Sequence, residues 1–497
     1  MEYFGIDFGT TNTAVYYINQ LDDGEIMSLK IGEDGNYPFS SMIAISKNIE
    51  ERKLLVGRKV KNEQYDLTKD FYIFSSMKSY LGKKDIIKEN ISVNPTSLTK
   101  DFLKYIKKYI CKNYLQRDPG REIINAVFSF PVDFSRDARR ELKKAAEGAG
   151  FKVLYFINEA TSAYIANMDK LSNASRILVI DWGGGTLDIN LIERKGNLIY
   201  ELIPPVSENI GGDDIDKEFA LRMHARFMEE YNLNKEFDKM SPGDKDKIRI
   251  RCEEAKIEFS NPDSEELEII VDDYETDGLK QITVKYNEFY NIIRPLLEKR
   301  VLPKILNVLN TAQINPEGID SVLLIGGSSQ IIAFKKIIEE LFDISKIKIS
   351  DEPDFSVAIG AAKFNLFGGH FKLSDDLGIL LSDNTIYPIF KKNEDGVGSS
   401  KGPFSFALTE DSQSANFIFA QSNGIEKKIY PPEMVPVKGF LDENIILNAT
   451  IENDQIAELE MKSNSMASDY FHPTNKKTVH IKDLAFYYEI DTQMDET

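Results

Sequence analysis

The sequence predicts an α/β protein built from two similar halves, followed by a small all-β region towards its C-terminus. Three observations predict it. Asp7-Phe8-Gly9-Thr10-Thr11-Asn12 follows an apolar run at residues 3–6, and Asp181-Trp182-Gly183-Gly184-Gly185-Thr186 follows a similar run at 177–180. Around each segment strand-like and helix-like periods alternate, which favours sheets covered by helices. Beyond residue 377 the helical period disappears and short alternating runs replace it.

In the first half, to about residue 166, strands are expected at 42–45 and 126–130 and helices at 99–111 and 136–148. The pattern restarts with a hairpin over 177–192 around the three glycines. It continues through helices near 215–231 and 245–259 and ends near residue 367. Two such halves leave a cleft between them, the usual place for a ligand. After Gly368-Gly369-His370, residues 368–376 read as a short polar linker. Alternating runs at 416–420, 445–451 and 478–481, separated by turn-rich stretches at 393–403 and 463–475, place a β domain over 377–490. Residues 491–497 read as a polar tail.

Composition narrows the function. The 497 residues carry a formal charge of −19, from 61 basic and 80 acidic side chains. A nucleic acid, whose phosphates need a basic surface, is therefore not expected as a partner. Cys111 and Cys252 are too few and too far apart for a disulfide framework, so a reducing compartment is expected. His224, His370, His472 and His480 have no metal-ligand spacing. No leader-like N-terminus and no apolar run of membrane-spanning length is evident, so the expectation is a cytoplasmic protein without a membrane partner.

The paired turns carry the chemistry. Glycine lets a backbone approach a ligand and point its N–H groups at an anion. Threonine hydroxyls add donors, and an aspartate just before the turn can hold a divalent cation through water. A polyphosphate with magnesium needs such an arrangement, although a single Gly-rich turn is more often only a turn. Three further segments join them. Ile157-Asn158-Glu159-Ala160-Thr161-Ser162-Ala163-Tyr164 puts a carboxylate at a helix start. Ile325-Gly326-Gly327-Ser328-Ser329 lies between the strand 322–325 and a helix with Ile331, Phe334, Ile337, Ile338 and Leu341 on one face; Ser328 or Ser329 could cap it. The run from Pro353-Asp354 to Ala361-Ala362 opens a last helix with small residues suited to close packing. No Gly-x-x-x-x-Gly-Lys-Ser/Thr loop competes with this reading.

This ordered set, over residues 3–363, resembles the actin-like ATPase superfamily and within it the DnaK-type heat-shock protein 70 chaperones. The resemblance implies a two-lobed ATPase domain over 1–367, with a β-sandwich entered at Leu377-Gly378-Ile379. Phe74-Ser75-Ser76-Met77-Lys78-Ser79-Tyr80-Leu81-Gly82 is similar to the family's lysine segment, which implies that Lys78 holds the attacking water and γ-phosphate; alone it would read as a solvated lysine. Phe130-Pro131-Val132-Asp133-Phe134 resembles the proline switch, with Arg139 as its relay, where Pro131 could equally be a plain strand terminator.

On the next helix Ile248, Cys252, Ala255 and Phe259 share a core-facing stripe. Glu253, Lys256, Ile257 and Ser260 share its neighbour, read either as a surface ion pair or, by resemblance, as contacts to the nucleoside. The resemblance implies ATP or ADP and Mg2+ in the cleft, with Asp7, Glu159 and Asp181 around the metal, mostly through water. Asp181 would also accept the water's proton, with Lys78, Thr186, Glu159 and Asp7 completing the catalytic set. Gly9, Thr10, Thr11, Asn12, Gly183, Gly184, Gly185, Gly211, Gly212, Asp213, Gly326, Gly327, Ser328, Gln330 and Asp354 complete the expected nucleotide site.

Partners implied by the resemblance are unfolded or extended polypeptides, a J-domain protein and a nucleotide exchange factor, in protein folding and the stress response. The chain also departs from the pattern. Ile257 and Gln330 replace two arginines that sandwich adenine, and Tyr155 replaces an arginine that meets J-domain partners. The linker lacks its leucine-rich segment. Nothing after Ile490 reads as a helical lid, so peptide exchange at the β domain is expected to be fast. Two other readings stand beside the chaperone: a nucleotide-sensing scaffold with little turnover that holds one dedicated partner, and a small-molecule kinase, to which the lysine segment and β region are less suited.

Overall fold

The computed structural model describes every residue except 22–23, 34–36, 49, 51–52, 90, 132–133, 204–205, 408–413, 438–443, 465–475 and 491–497. Val132 and Asp133 of the proline segment, most of the turn-rich stretch 463–475 and the polar tail therefore lie outside the described residues. The chain divides into two units. The first comprises Met1–Arg194 and Glu201–Leu366, the second Lys195–Tyr200 and Phe367–Thr497.

In the first unit each half is organised around one central strand. Glu2–Phe8 lies antiparallel to Asn12–Gln20 and parallel to Ile124–Phe130. Arg176–Trp182 lies antiparallel to Leu187–Lys195 and parallel to Ser321–Ile325. The duplication read from the sequence is thus a shared local topology: a central strand, a hairpin on one side and a crossover on the other. Near-continuous burial of Phe4, Ile6 and Phe8, and of residues 177–180, shows why these runs are apolar.

The helices follow their capping chemistry. Pro95–Ile110 begins where Asn94 accepts a hydrogen bond from the Ser97 amide, and it buries Leu98, Phe102, Leu103 and Ile106. Arg136–Ala149 is capped by Ser135 and ends at Gly150, whose φ is 93°. Pro242–Glu258 is capped by Ser241 and buries Ile248, Cys252 and Ala255, with Phe259 just beyond, as the stripe requires. The last helix, Ser356–Leu366, crosses very closely. A Cβ on Gly360 would lie 1.7 Å from the Ser162 carbonyl oxygen, and one on Gly5 2.0 Å from that of Ala358. Both cysteines are buried free thiols. Among the described residues no helix is long and apolar enough to cross a membrane.

The second unit is built from strands, and no helix occurs among its described residues. Two four-stranded antiparallel sheets share a core that includes Leu377, Ile379, Phe390, Phe419, Leu447 and Leu459, a sandwich in which inward and outward residues alternate. Two expectations need correction. Residues 368–376 are not a free linker: they include the strand His370–Leu373, paired with Phe486–Glu489. The run 416–420 is not one strand but parts of two, Ser414–Phe417 and Phe419–Ser422, which pair in different sheets. The unit also takes in Lys195–Tyr200, through pairing of Leu198 and Ile199 with Glu489 and Tyr488. A polar linker and a distant hairpin tip carry no sequence signal of such pairing, because it depends on contacts remote in the chain.

Candidate functional site

In the first unit a cavity of about 850 Å³ opens at the carboxyl ends of both central strands, where α/β sheets place their ligands. Residues 9–12 and 183–186 line it from either side. The two turns are in contact: a Cβ on Gly184 would fall 2.8 Å from Thr11 Cγ2, and one on Gly185 2.9 Å from Thr11 Oγ1. Only glycine permits that approach, and it leaves loop amides and threonine hydroxyls on one shared space.

The second turn is braced from behind by the helix Gly212–Glu230. The Gly212 and Asp213 amides donate to the carbonyls of Gly183 and Gly184 at 3.1 and 2.8 Å. Thr11 Oγ1 donates to Asp213 at 3.2 Å, which ties the first turn to the same helix start. Gly211 does not line the cavity. A Cβ there would sit 2.2 Å from the Gly184 carbonyl oxygen, so its glycine serves packing behind the turn.

The floor is electrostatic. Asp7 ends one central strand and accepts from Ser129 Oγ at 2.7 Å. Lys78, on a short turn entered through Ser76 at φ 54°, donates to Glu159 at 2.5 Å, and the two side chains are only 6% and 12% exposed. Burial works against the Lys78 ammonium, but Glu159 and Asp7 outweigh it and hold its pKa above the ordinary lysine value. Burial raises Glu159 to about 8, against the pull of Lys78 and with Asp7 and Asp188 adding to the rise. Asp181 is raised well above the usual carboxylate range by burial, then by Glu159, Asp188 and Asp7.

Asp188 was missed at the level of sequence. It lies directly opposite Asp181 in the hairpin register and lines the cavity. Its signal was available: a strand that returns through a tight turn brings residue i+7 back beside residue i. One ammonium among these carboxylates leaves an excess of negative charge, the donor set of a hard divalent cation. No group of three acidic, histidine or cysteine side chains among the described residues is placed to hold a metal.

The wall is formed by the helix Pro242–Glu258 and the turn after Ser321–Ile325. Glu253, Lys256, Ile257 and Ser260 all line the cavity. Glu253 and Lys256 do not pair with each other. Glu253 meets Lys61 at 2.7 Å and Lys256 meets Asp216 at 2.8 Å. Burial opposes both charges, but Lys61 and Lys256 keep the Glu253 pKa below its ordinary value.

Gly326 takes φ 79°, and a Cβ there would lie 2.6 Å from Asp181 Oδ1. Asp354, raised by burial and by Glu352, accepts from the Gly327 amide. Neither serine caps the following helix, contrary to expectation. A 3₁₀ turn intervenes, Ser328 Oγ donates to the Gly183 carbonyl at 2.8 Å and Ser329 Oγ to that of Gly326 at 2.7 Å. Ser328 thus fastens the third segment to the second turn. Gln330 and Pro131 also line the cavity. Arg139 does not; it is buried, with its guanidinium 4.6 Å over the Phe130 ring beside Pro131.

Comparison with known proteins gives the context. The family model described as Hsp70 protein matches residues 29–389. The chain is 30% identical over 362 residues to the chaperone protein DnaK of Thermosipho melanesiensis, covering 72% of this chain and 58% of the relative. It is 31% identical over 388 residues to the chaperone protein dnaK of Thalassiosira pseudonana, covering 72% and 61%. Against the chaperone protein dnaK1 of Synechocystis it is 28% identical over 380 residues, covering 72% and 53%. The matches thus span less than two thirds of the length of these relatives.

Proposed function

Because the chain belongs to the Hsp70 family, we propose that its cleft binds ATP and ADP with Mg2+, hydrolyses ATP slowly, and couples nucleotide state to capture of unfolded or extended polypeptide by the β unit. The observation that carries this is the contact between two Gly-Thr turns above a carboxylate cluster that holds one lysine. On this reading Thr10, Thr11, Thr186 and the turn amides bind phosphate oxygens. Lys78 brings positive charge to the γ-phosphate and holds the attacking water. Asp181, as the carboxylate, takes a proton from that water. The water oxygen bonds to the γ-phosphorus as the bond to the bridging oxygen of ADP breaks, which releases phosphate. Magnesium supplies charge neutralisation when bound; Asp7, Glu159 and Asp181 would hold it through water.

Glu253, Lys256 and Ser260 face the nucleoside, and Pro131 with Arg139 forms the switch. Clients reach the β unit as extended chains that add to a sheet edge; a J-domain protein and an exchange factor belong to the same proposal, in a cytoplasmic setting. The test is steady-state phosphate release from ATP: the wild-type chain should exceed Lys78→Ala at least tenfold, and equal rates refute hydrolysis. One observation favours the second reading, a nucleotide-sensing scaffold. The strand His370–Leu373 pairs with Phe486–Glu489, so the expected linker is held in a β ladder. ATP binding without turnover, and without competition by short apolar peptides, would select it.

A further inference from the structure

The cavity has a second recognition surface that the phosphate and metal chemistry does not use. The segment from Arg58 to Leu67 runs antiparallel to the helix Pro242–Glu258, rung by rung. Asp246 accepts from the Tyr65 amide at 3.0 Å, Arg249 donates to the Lys61 carbonyl at 2.6 Å, and Lys61 pairs with Glu253 at 2.7 Å. As the numbers fall on one side they rise on the other. The next rung therefore sets Arg58, one turn before Lys61, towards Ile257, one turn after Glu253. Both line the cavity.

Their chemistry is unusual for a cleft rim. Ile257 is 58% exposed at the cavity, on a helix that buries Ile248, Cys252 and Ala255, so its apolar surface is open to a ligand. Arg58 lies with its guanidinium carbon 4.2 Å from the Tyr37 ring centroid, so the plane is stiffened by the ring beneath it. Glu33 fixes this arrangement by accepting from the Arg58 amide at 2.9 Å. Among the described residues no carboxylate pairs with the guanidinium, which leaves its outer face available to a flat ligand.

Resting on the nucleotide reading above, we infer that the Arg58–Tyr37 pair is the stacking platform for the nucleobase, with Ile257 covering the ring from the opposite half. A purine has two apolar faces and suits a guanidinium plane on one side and an aliphatic side chain on the other. Stacking of this kind tolerates any base, so it supplies affinity without choosing between adenine and guanine. It also makes the base a bridge between the two halves of the first unit.

The experiment is calorimetric titration of the full chain with ATP, GTP and tripolyphosphate, each with magnesium, for wild type, Arg58→Ala, Arg58→Lys, Tyr37→Phe and Tyr37→Ala, on variants whose melting temperature is unchanged. Arg58→Ala, Arg58→Lys and Tyr37→Ala should weaken ATP and GTP about tenfold, the scale of one base stack, and leave tripolyphosphate unchanged. Tyr37→Phe keeps the ring and should behave as wild type. Retained ATP affinity in Arg58→Lys, or an equal loss for tripolyphosphate, would show a charge contact to phosphate and overturn the inference. Unchanged affinity in Arg58→Ala overturns it while leaving the nucleotide reading intact. A wild-type chain that binds no ATP refutes both.

Discussion

Replacing Lys78 by alanine removes the ammonium that faces Asp7, Glu159 and Asp188. Its pair with Glu159 is 2.5 Å long, with side chains 6% and 12% exposed, so solvent screens it little. Removing one partner of a buried pair costs about 3–5 kcal/mol, because the other charge is left uncompensated. The cost must depend on pH. Glu159 is held at about 8 against an ordinary 4.5, so the folded state binds that proton more tightly than the unfolded chain. Stability from this site is therefore present at low pH and lost as pH rises through about 8. Without Lys78 the carboxylates are raised further. Lys78→Ala should thus lose about 3 kcal/mol at pH 8 and less than about 1 kcal/mol at pH 5, and Glu159→Gln in the same background should recover most of the loss. Urea unfolding followed by fluorescence suits the measurement, because the only tryptophan, Trp182, is fully buried in the first unit. A loss equal at both pH values, or no recovery with Glu159→Gln, would refute the reasoning.

Gly184→Ala puts a methyl 2.8 Å from Thr11 Cγ2, where ordinary contact begins at 3.4 Å; the turns must part, and ATP affinity should fall about tenfold, roughly 1.4 kcal/mol, by calorimetry. Gly120→Ala, where a Cβ comes no nearer than 3.4 Å to the Asp118 carboxylate, should leave it unchanged. Gly360→Ala drives a methyl into the Ser162 carbonyl and should cost about 3 kcal/mol in urea; wild-type stability would contradict the close helix crossing. Glu201, raised to about 7 by burial although Thr161 Oγ1 donates to it, should on replacement by glutamine raise the melting temperature at pH 8 and leave it unchanged at pH 5. Magnesium should raise the melting temperature more at pH 8 than at pH 6, because only ionised carboxylates attract it; the reverse order would sink the cation assignment.

What the sequence disclosed and what it hid divide along a physical line. The central strands, the two turns and the Cys252 stripe were legible because each is a local pattern: an apolar run, a glycine where backbones meet, a 3.6-residue period. The start of Pro95–Ile110 was legible too in its Asn-Pro cap, though periodicity alone begins it four residues late. Asp188 was hidden because its importance comes from hairpin register with Asp181. The Lys61–Glu253 and Lys256–Asp216 pairs were hidden because their partners lie far apart in the chain. Ser328 lines the cavity through a different bond from the one expected, since a strand-to-helix serine ordinarily caps and here reaches across to Gly183.

The most direct test of the central claim is a titration of the purified chain with ATP, with and without magnesium, for wild type and Gly184→Ala. If the two turns form one phosphate cradle above the carboxylates, binding is seen in wild type, is strengthened by magnesium, and is weakened about tenfold by the added methyl. Binding that is indifferent both to magnesium and to Gly184→Ala would contradict it.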